Sequence, residues 1–250
     1  MERIRLNKLM AELGFSSRRG ADVLIEEGRV KLNGKKAQLG DKVDPEKDRL
    51  VFNGRTIDLQ AAQETLSGEN FEYWILNKPA RVISSVDDPD GRKTVMRFLR
   101  GKTDARLYPV GRLDYESEGL LLMTNDGDLA YRLTHPKYEV EKEYLVLANG
   151  IFSQDKIARL KHGVRLADSK ARVDELELIE KNGRDLDLKF IMHEGRKREV
   201  RRICARVGWE VMRLTRVRLA NLELGNLKPG TARKLTEEEI QDLKKSVKLI

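Results

Sequence analysis

Cysteine is nearly missing from this sequence of 250 residues, where Cys204 stands alone. No disulfide can form within one chain, so a reducing compartment, the cytoplasm, is expected. Histidine is almost as scarce. His135, His162 and His193 are too scattered to suggest a metal site, and no metal is expected. No apolar run approaches the ~20 residues that span a bilayer, and the charged N-terminus has no apolar segment of the signal-peptide kind. Neither a signal peptide nor a membrane partner is therefore expected. The glycine signatures of nucleotide binding, G-x-x-x-x-G-K-[S/T] and a helix-opening G-x-G-x-x-G, do not occur, and no cofactor is expected.

What is present in excess is positive charge. The formal net charge is +8, with 36% charged and 40% hydrophobic residues. That composition suits a folded, soluble chain with room for one large and one small domain. Between Arg196 and Arg218 lie nine Arg or Lys against two acids, Glu199 and Glu210. Nearly the whole imbalance sits in this segment, which points to a polyanionic partner.

Residues 1–60 read as a separate module. Ile4, Leu6, Leu9, Met10 and Leu13 follow helical spacing up to Gly14, and Ser16-Ser17 can cap a second helix ending near Gly28. Asn33-Gly34 and Asn53-Gly54 are turn signals for two short hairpins. Residues 61–70 are polar and read as a linker, leaving 71–250 as the larger domain. Its signals include a strand ending in Lys78-Pro79, a turn-rich loop at 88–95 and a short helix at 128–134. A strand at 141–148, a helix opened by Ser153 and a hairpin around Asn182-Gly183 follow. The pattern continues with a helix over 194–208, strands at 209–218 and 219–224, and a capping box at Thr236–Glu239.

The most informative stretch is GRLDYESEGLLLMTNDG, residues 111–127. Gly119 to Met123 reads as a buried strand and Asn125-Asp126-Gly127 as the turn that ends it. Asp114 then lies in a loop entering the core, where a carboxylate needs a cationic partner or takes up a proton. Arg112 is the near candidate, and the Arg-rich segment 196–202 the distant one. Read in isolation, Asp114 would simply cap a turn.

This stretch resembles the central motif of pseudouridine synthases, in the branch that modifies ribosomal RNA. Ser117 stands where that branch has Thr, which keeps the hydroxyl. The resemblance implies that Asp114 is the catalytic residue. It implies that Tyr144, in the triplet Lys142-Glu143-Tyr144, stacks on the target base. Arg201, in the segment REVR, would pair with Asp114, and Leu214 would pack beside the base. Arg196, Lys197, Arg198 and Arg202 are expected to contact phosphates, and Arg112 to bind substrate. The Lys78-Pro79 pair is expected to shape the floor of the site. Loops 88–95 and 194–199 resemble the type B large-subunit branch.

RLNKLMAELGFSSRRGADVLIEEGRVKLNG likewise resembles the S-four type of RNA-binding domain. The matching positions are Arg5, Lys8, Ser17, Arg18, Arg19, Arg29, Asn33 and Lys35. Residues 1–58 hold 13 basic and 10 acidic residues, so their binding must rest on placement more than on total charge.

The resemblance implies an α+β chain: a small RNA-binding module, then a catalytic domain on a mainly antiparallel sheet flanked by helices. It implies isomerisation of one uridine in large-subunit ribosomal RNA by a monomer. A small-subunit target, another large-subunit uridine and a non-catalytic ribosome-assembly factor stay open. A glycosidase would want two catalytic carboxylates, for which Glu116 and Glu118 are available.

Overall fold

The computed structural model describes residues 3–59 and 71–250. The chain divides into two compact units, Met1–Phe71 and Glu72–Ile250. The stretch read as a linker, 61–70, lies outside the described residues.

In the first unit α1 (Leu6–Glu12) buries Leu6, Leu9 and Met10, an i, i+3, i+4 stripe. It packs on α2 (Arg18–Glu26). Ser17 caps α2, its hydroxyl accepting from the Gly20 N–H at 3.0 Å. Strand β1 (Ile4–Arg5) pairs with β4 (Lys42–Val43). Strands β2 (Val30–Leu32), β3 (Lys35–Lys36), β5 (Leu50–Phe52) and β6 (Arg55–Ile57) form an antiparallel sheet in the order β3-β2-β5-β6. Asn33-Gly34 and Asn53-Gly54 both sit at positive φ, the hairpin geometry that matches strand twist. Ile25, Val30, Val43 and Leu50 close the core with the α1 stripe.

The second unit is built on one sheet. Its strands are β7 (Tyr73–Lys78), β8 (Tyr108–Pro109), β9 (Glu118–Thr124), β10 (Lys142–Asn149), β13 (Glu175–Asn182) and β14 (Asp185–Met192). β15 (Glu210–Leu219), β16 (Leu222–Glu223) and β17 (Ala232–Lys234) complete it. Among the described residues the order is β13-β14-β10-β15-β9-β7-β17, with β8 beside β9 and β16 beside β15. Pairing is antiparallel except between β9 and β15, which run parallel. A separate ribbon joins β11 (Val164–Arg165) to β12 (Lys170–Ala171).

Strand β7 is buried along its whole length, and β9 from Gly119 onward, because both lie in the middle of the sheet. Strand β10 alternates, with Tyr144, Val146 and Ala148 inward. Helices α3 (Gly127–Thr134), α4 (Gln154–His162), α5 (Glu199–Arg206) and α6 (Glu237–Ser246) accompany the sheet. Asp126 caps α3 through the Leu129 N–H, Ser153 caps α4, and Thr236 with Glu239 forms the capping box of α6. No helix among the described residues is long and apolar enough to cross a membrane.

One expected element is shorter than its sequence suggests. The helix expected over 194–208 begins only at Glu199, and Arg198 precedes it at φ +51 in the left-handed region. Residues 194–198 form a loop, held by bonds from residues far away in sequence.

Candidate active site

The loop carrying Asp114 is fastened at several points. The Leu113 N–H donates to the Ser84 hydroxyl at 3.1 Å, and that hydroxyl donates back to the Leu113 carbonyl at 2.9 Å. The Ser117 N–H returns to the Asp114 carbonyl at 3.0 Å, and the Arg81 N–H donates to the Tyr115 carbonyl at 2.6 Å. Beneath the loop lies Lys78, 0% exposed, donating to the carbonyls of Ser117 at 2.7 Å and Pro79 at 3.0 Å. Burial lowers the Lys78 ammonium to about 8, against the pull of the nearby Glu118 and Asp114 carboxylates. Lys78 thus supports the loop from within through these two carbonyls.

Asp114 itself is half-buried. Among the described residues, no hydrogen bond or ion pair engages its carboxylate. It faces an open cleft of about 880 Å³ that also takes in Arg112, Tyr144, Lys142, Leu214, Arg216 and the loop 193–198.

The sheet forms the wall opposite. Tyr144 stands across from Arg216 in the β10–β15 ladder, and Val146 across from Leu214. Cross-strand partners share a face, so Tyr144, Leu214 and Arg216 present themselves together. Arg216 is 4% exposed; its Nε donates to the Leu120 carbonyl at 2.8 Å, and Nη2 is buried without a partner. Burial raises the Tyr144 phenol above its ordinary value, while the adjacent Arg216 guanidinium opposes the rise. A buried donor left unused beside a cleft is ready to bond an acceptor on a ligand. The Ser117 hydroxyl, also buried and unpartnered, lines the same cleft.

The third wall is the loop before α5. Lys142 donates to the carbonyls of Val140 at 2.7 Å and His193 at 2.8 Å, fixing this loop to β10. Burial, with Arg216 adding repulsion, lowers the Lys142 ammonium to about 8. Glu199 accepts from the Arg196 N–H at 2.9 Å, and burial raises its carboxyl above the usual range. Arg198 reaches Glu116 at 3.0 Å, linking the loop to the Asp114 segment.

The structure therefore gathers Asp114, Tyr144, Leu214, Arg112, Arg196, Lys197 and Arg198 around one cleft. It does not bring in Arg201 or Arg202. The expected pairing of Arg201 with Asp114 is not present: Arg201 Nη1 donates to the Val211 carbonyl at 2.9 Å, tying α5 to β15. Arg202 is bonded to Asp168 and to the Lys197 carbonyl. The cleft-facing arginine that sequence reasoning missed is Arg216. A signal existed, since Leu214 and Arg216 are two apart on one strand and so share a face.

The module's expected RNA contacts divide as well. Arg5, Arg18, Arg19 and Lys35 are exposed. Ser17 is occupied as a helix cap, and Asn33 bonds Asp48 and the Arg49 N–H, both at 2.8 Å. Arg29 bonds Asn53 at 2.8 Å, and Lys8 pairs with Glu12 at 3.6 Å. Among the described residues, no group of three or more His, Cys, Asp or Glu is placed to hold a metal ion.

Comparison with known proteins gives a consistent result. Residues 72–206 match the family model for RNA pseudouridylate synthase, and residues 4–50 match the S4 domain. The chain is 40% identical to ribosomal large subunit pseudouridine synthase B of Bacillus subtilis, covering 96% of this chain and 95% of that one. It is also 40% identical to an uncharacterized RNA pseudouridine synthase of Aquifex aeolicus, covering 100% and 97%. A crystal structure of a pseudouridylate synthase superposes with a TM-score of 0.66 at 30% identity, covering 96% of this chain and 99% of the other.

Proposed function

Because the chain belongs to the RNA pseudouridylate synthase family, whose members are isomerases, we propose that its substrate is one uridine of large-subunit ribosomal RNA. The observation that carries this is the free Asp114 carboxylate, held on a fastened loop across a cleft from Tyr144 and Arg216. The Bacillus relative named for the large-subunit reaction, aligned over nearly the full chain, supports the choice of RNA.

In this reading the target uridine leaves its stack and enters the cleft, as bases do in enzymes that work on them. Asp114 attacks or otherwise stabilises the ribose C1′ as the bond to the base breaks. The base turns within the cleft and bonds to C1′ through C5, which releases the Asp114 carboxylate; the proton on C5 then leaves to solvent, and N1 takes one up. Tyr144 holds the base by stacking through these steps, with Leu214 beside it. Arg216 Nη2 supplies a donor for charge that develops on the detached base, from a side chain that is itself buried. Arg201 keeps α5 on β15 through Nη1, while its Nε is buried without a partner and its charge acts on Glu116, two residues from Asp114.

Arg112, Arg196, Lys197 and Arg198 hold phosphates at the rim, and the N-terminal module adds contacts through Arg5, Arg18, Arg19 and Lys35. The domain boundaries that fit are 1–60 for the module, 61–70 for the linker and 71–250 for the catalytic domain. The protein acts as a cytoplasmic monomer during ribosome biogenesis. Burial pushes the Cys204 thiol up to about 12, which makes it inert. Mapping pseudouridines in ribosomal RNA from cells with and without the gene tests the proposal. One large-subunit site should vanish; loss of a small-subunit site, or of none, would contradict it.

A further inference from the structure

Beside the cleft lies a cluster of exposed and half-buried rings that no step of the proposed reaction uses. Tyr131 and His135 lie one helical turn apart at the C-terminal end of α3, with ring centroids 4.9 Å apart. The short 3-10 turn Pro136–Tyr138 brings Tyr138 edge-on to both, at 6.1 Å from Tyr131 and 6.4 Å from His135. Lys137 stands over Tyr138 at 4.8 Å and Tyr131 at 5.5 Å, and Arg132 over Tyr138 at 5.5 Å.

The segment that carries the cluster is anchored at several points. Arg132 donates to the carbonyls of Val247 and Lys248 at the end of α6, and Thr134 bonds back to the Ala130 carbonyl at 2.7 Å. The chain then reverses at Glu139, which sits at φ +48 without being glycine, a conformation that costs energy and persists only where the surroundings impose it. Yet Tyr131 remains 48% exposed. The ring is thus ordered but about half open to water, with Lys137 beside it over one part of its surface.

Its position gives the occupant. Thr134, His135 and Pro136 line the same cleft as Asp114, so the platform begins where the cleft ends. A strand whose uridine is turned into the cleft has its next nucleotides at that margin. Aromatic rings interleaved with cations are how proteins hold unpaired nucleotides: the ring stacks the base and the cation meets the phosphate. We propose that the Tyr131–His135–Tyr138 platform binds the base of an unpaired nucleotide flanking the target uridine, with Lys137 on its phosphate. The inference rests on the functional reading above and adds a second base-binding subsite to it. It ties target choice to an unpaired neighbour, because a base locked in a duplex cannot stack there.

The test is a cycle of protein and RNA changes in the full chain. The probe is a large-subunit ribosomal RNA hairpin containing the uridine that the wild type converts, with each unpaired neighbour replaced in turn by an abasic nucleotide. One such replacement should weaken wild-type binding about tenfold or more, the scale of one stacked base. The double change Tyr131→Leu and Tyr138→Leu should weaken binding of the unaltered hairpin similarly, and that abasic replacement should then cost nothing further. Single-turnover conversion at saturating RNA should stay within about twofold, because the platform does not touch the reacting atoms.

Independent, additive losses would overturn the platform, as would an unchanged affinity in the leucine variant. Should the double variant unfold, Tyr131→Leu alone, at a half-exposed position, carries the same cycle. A wild type that converts no large-subunit uridine would instead overturn the functional reading, and this inference with it.

Discussion

Gly119 and Arg216 approach each other so closely that no other residue fits at position 119. A Cβ there would stand 2.2 Å from the Arg216 carbonyl oxygen and 2.7 Å from its amide nitrogen, and Gly119 holds φ +105. This is the parallel crossing of β9 and β15, where Arg216 is opposite Gly119. The contact sets the Asp114 loop, five residues upstream, against the strand that carries Arg216 and Leu214.

Gly119→Ala should therefore force the two strands apart. The left-handed strain alone is about 1–3 kcal/mol, and the backbone clash adds to it. Urea unfolding should show a loss of at least ~2 kcal/mol, with conversion falling further than stability explains. A variant as stable and active as the wild type would show that the crossing is not needed to place Asp114.

The buried Arg216 and the half-buried Arg201 separate by substitution. Arg216→Met removes the donor facing the cleft, and single-turnover conversion at saturating RNA should fall by ~10²-fold or more. Arg201→Met removes the tie to the Val211 carbonyl. It should cost on the order of 1 kcal/mol of stability and leave conversion within about tenfold of the wild type. Reversed effects would return the catalytic role to Arg201 and imply that its side chain moves when RNA binds.

Lys78 gives the support of the Asp114 loop a pH signature. Its folded pKa is about 8 against an ordinary 10.5, so the unfolded chain binds the proton more tightly than the folded one. The cost of holding Lys78 charged is full below pH 8 and is relieved as pH rises from 8 toward 10.5. Relative to Lys78→Met, the wild type should gain about 2 kcal/mol in urea unfolding between pH 7 and 10. Lys142 titrates in both proteins and cancels from the difference. A flat difference would mean that Lys78 keeps an ordinary pKa.

Elements fixed by nearby residues were legible in the sequence: the hairpins at Asn33-Gly34 and Asn53-Gly54, the cap at Ser17, the capping box at Thr236 and the buried run of β9. Asp114, Tyr144 and Leu214 were legible through motif resemblance, and the structure places them at one cleft. Less legible was anything decided by distant partners. Residues 194–198 are good helix formers apart from Gly195, yet Lys142, some fifty residues earlier, holds the His193 carbonyl and the chain turns there instead. Asn33 reads as an RNA contact but is consumed by Asp48 and Arg49. Arg216 was passed over because its meaning comes from β10 and β9, each brought alongside by sheet topology.

The central claim is that the Asp114 carboxylate does the chemistry, and Asp114→Asn tests it most directly. The change keeps the side chain's shape and removes its charge and nucleophilicity. Fold stability should change little, because among the described residues no hydrogen bond or ion pair of the carboxylate is lost, and RNA affinity should persist, because the rim cations are untouched. Single-turnover conversion of a uridine-containing large-subunit fragment should drop by at least ~10⁴-fold, the scale of losing a member of a catalytic unit. Conversion within ~10-fold of the wild type, or affinity falling in step with conversion, would contradict the account.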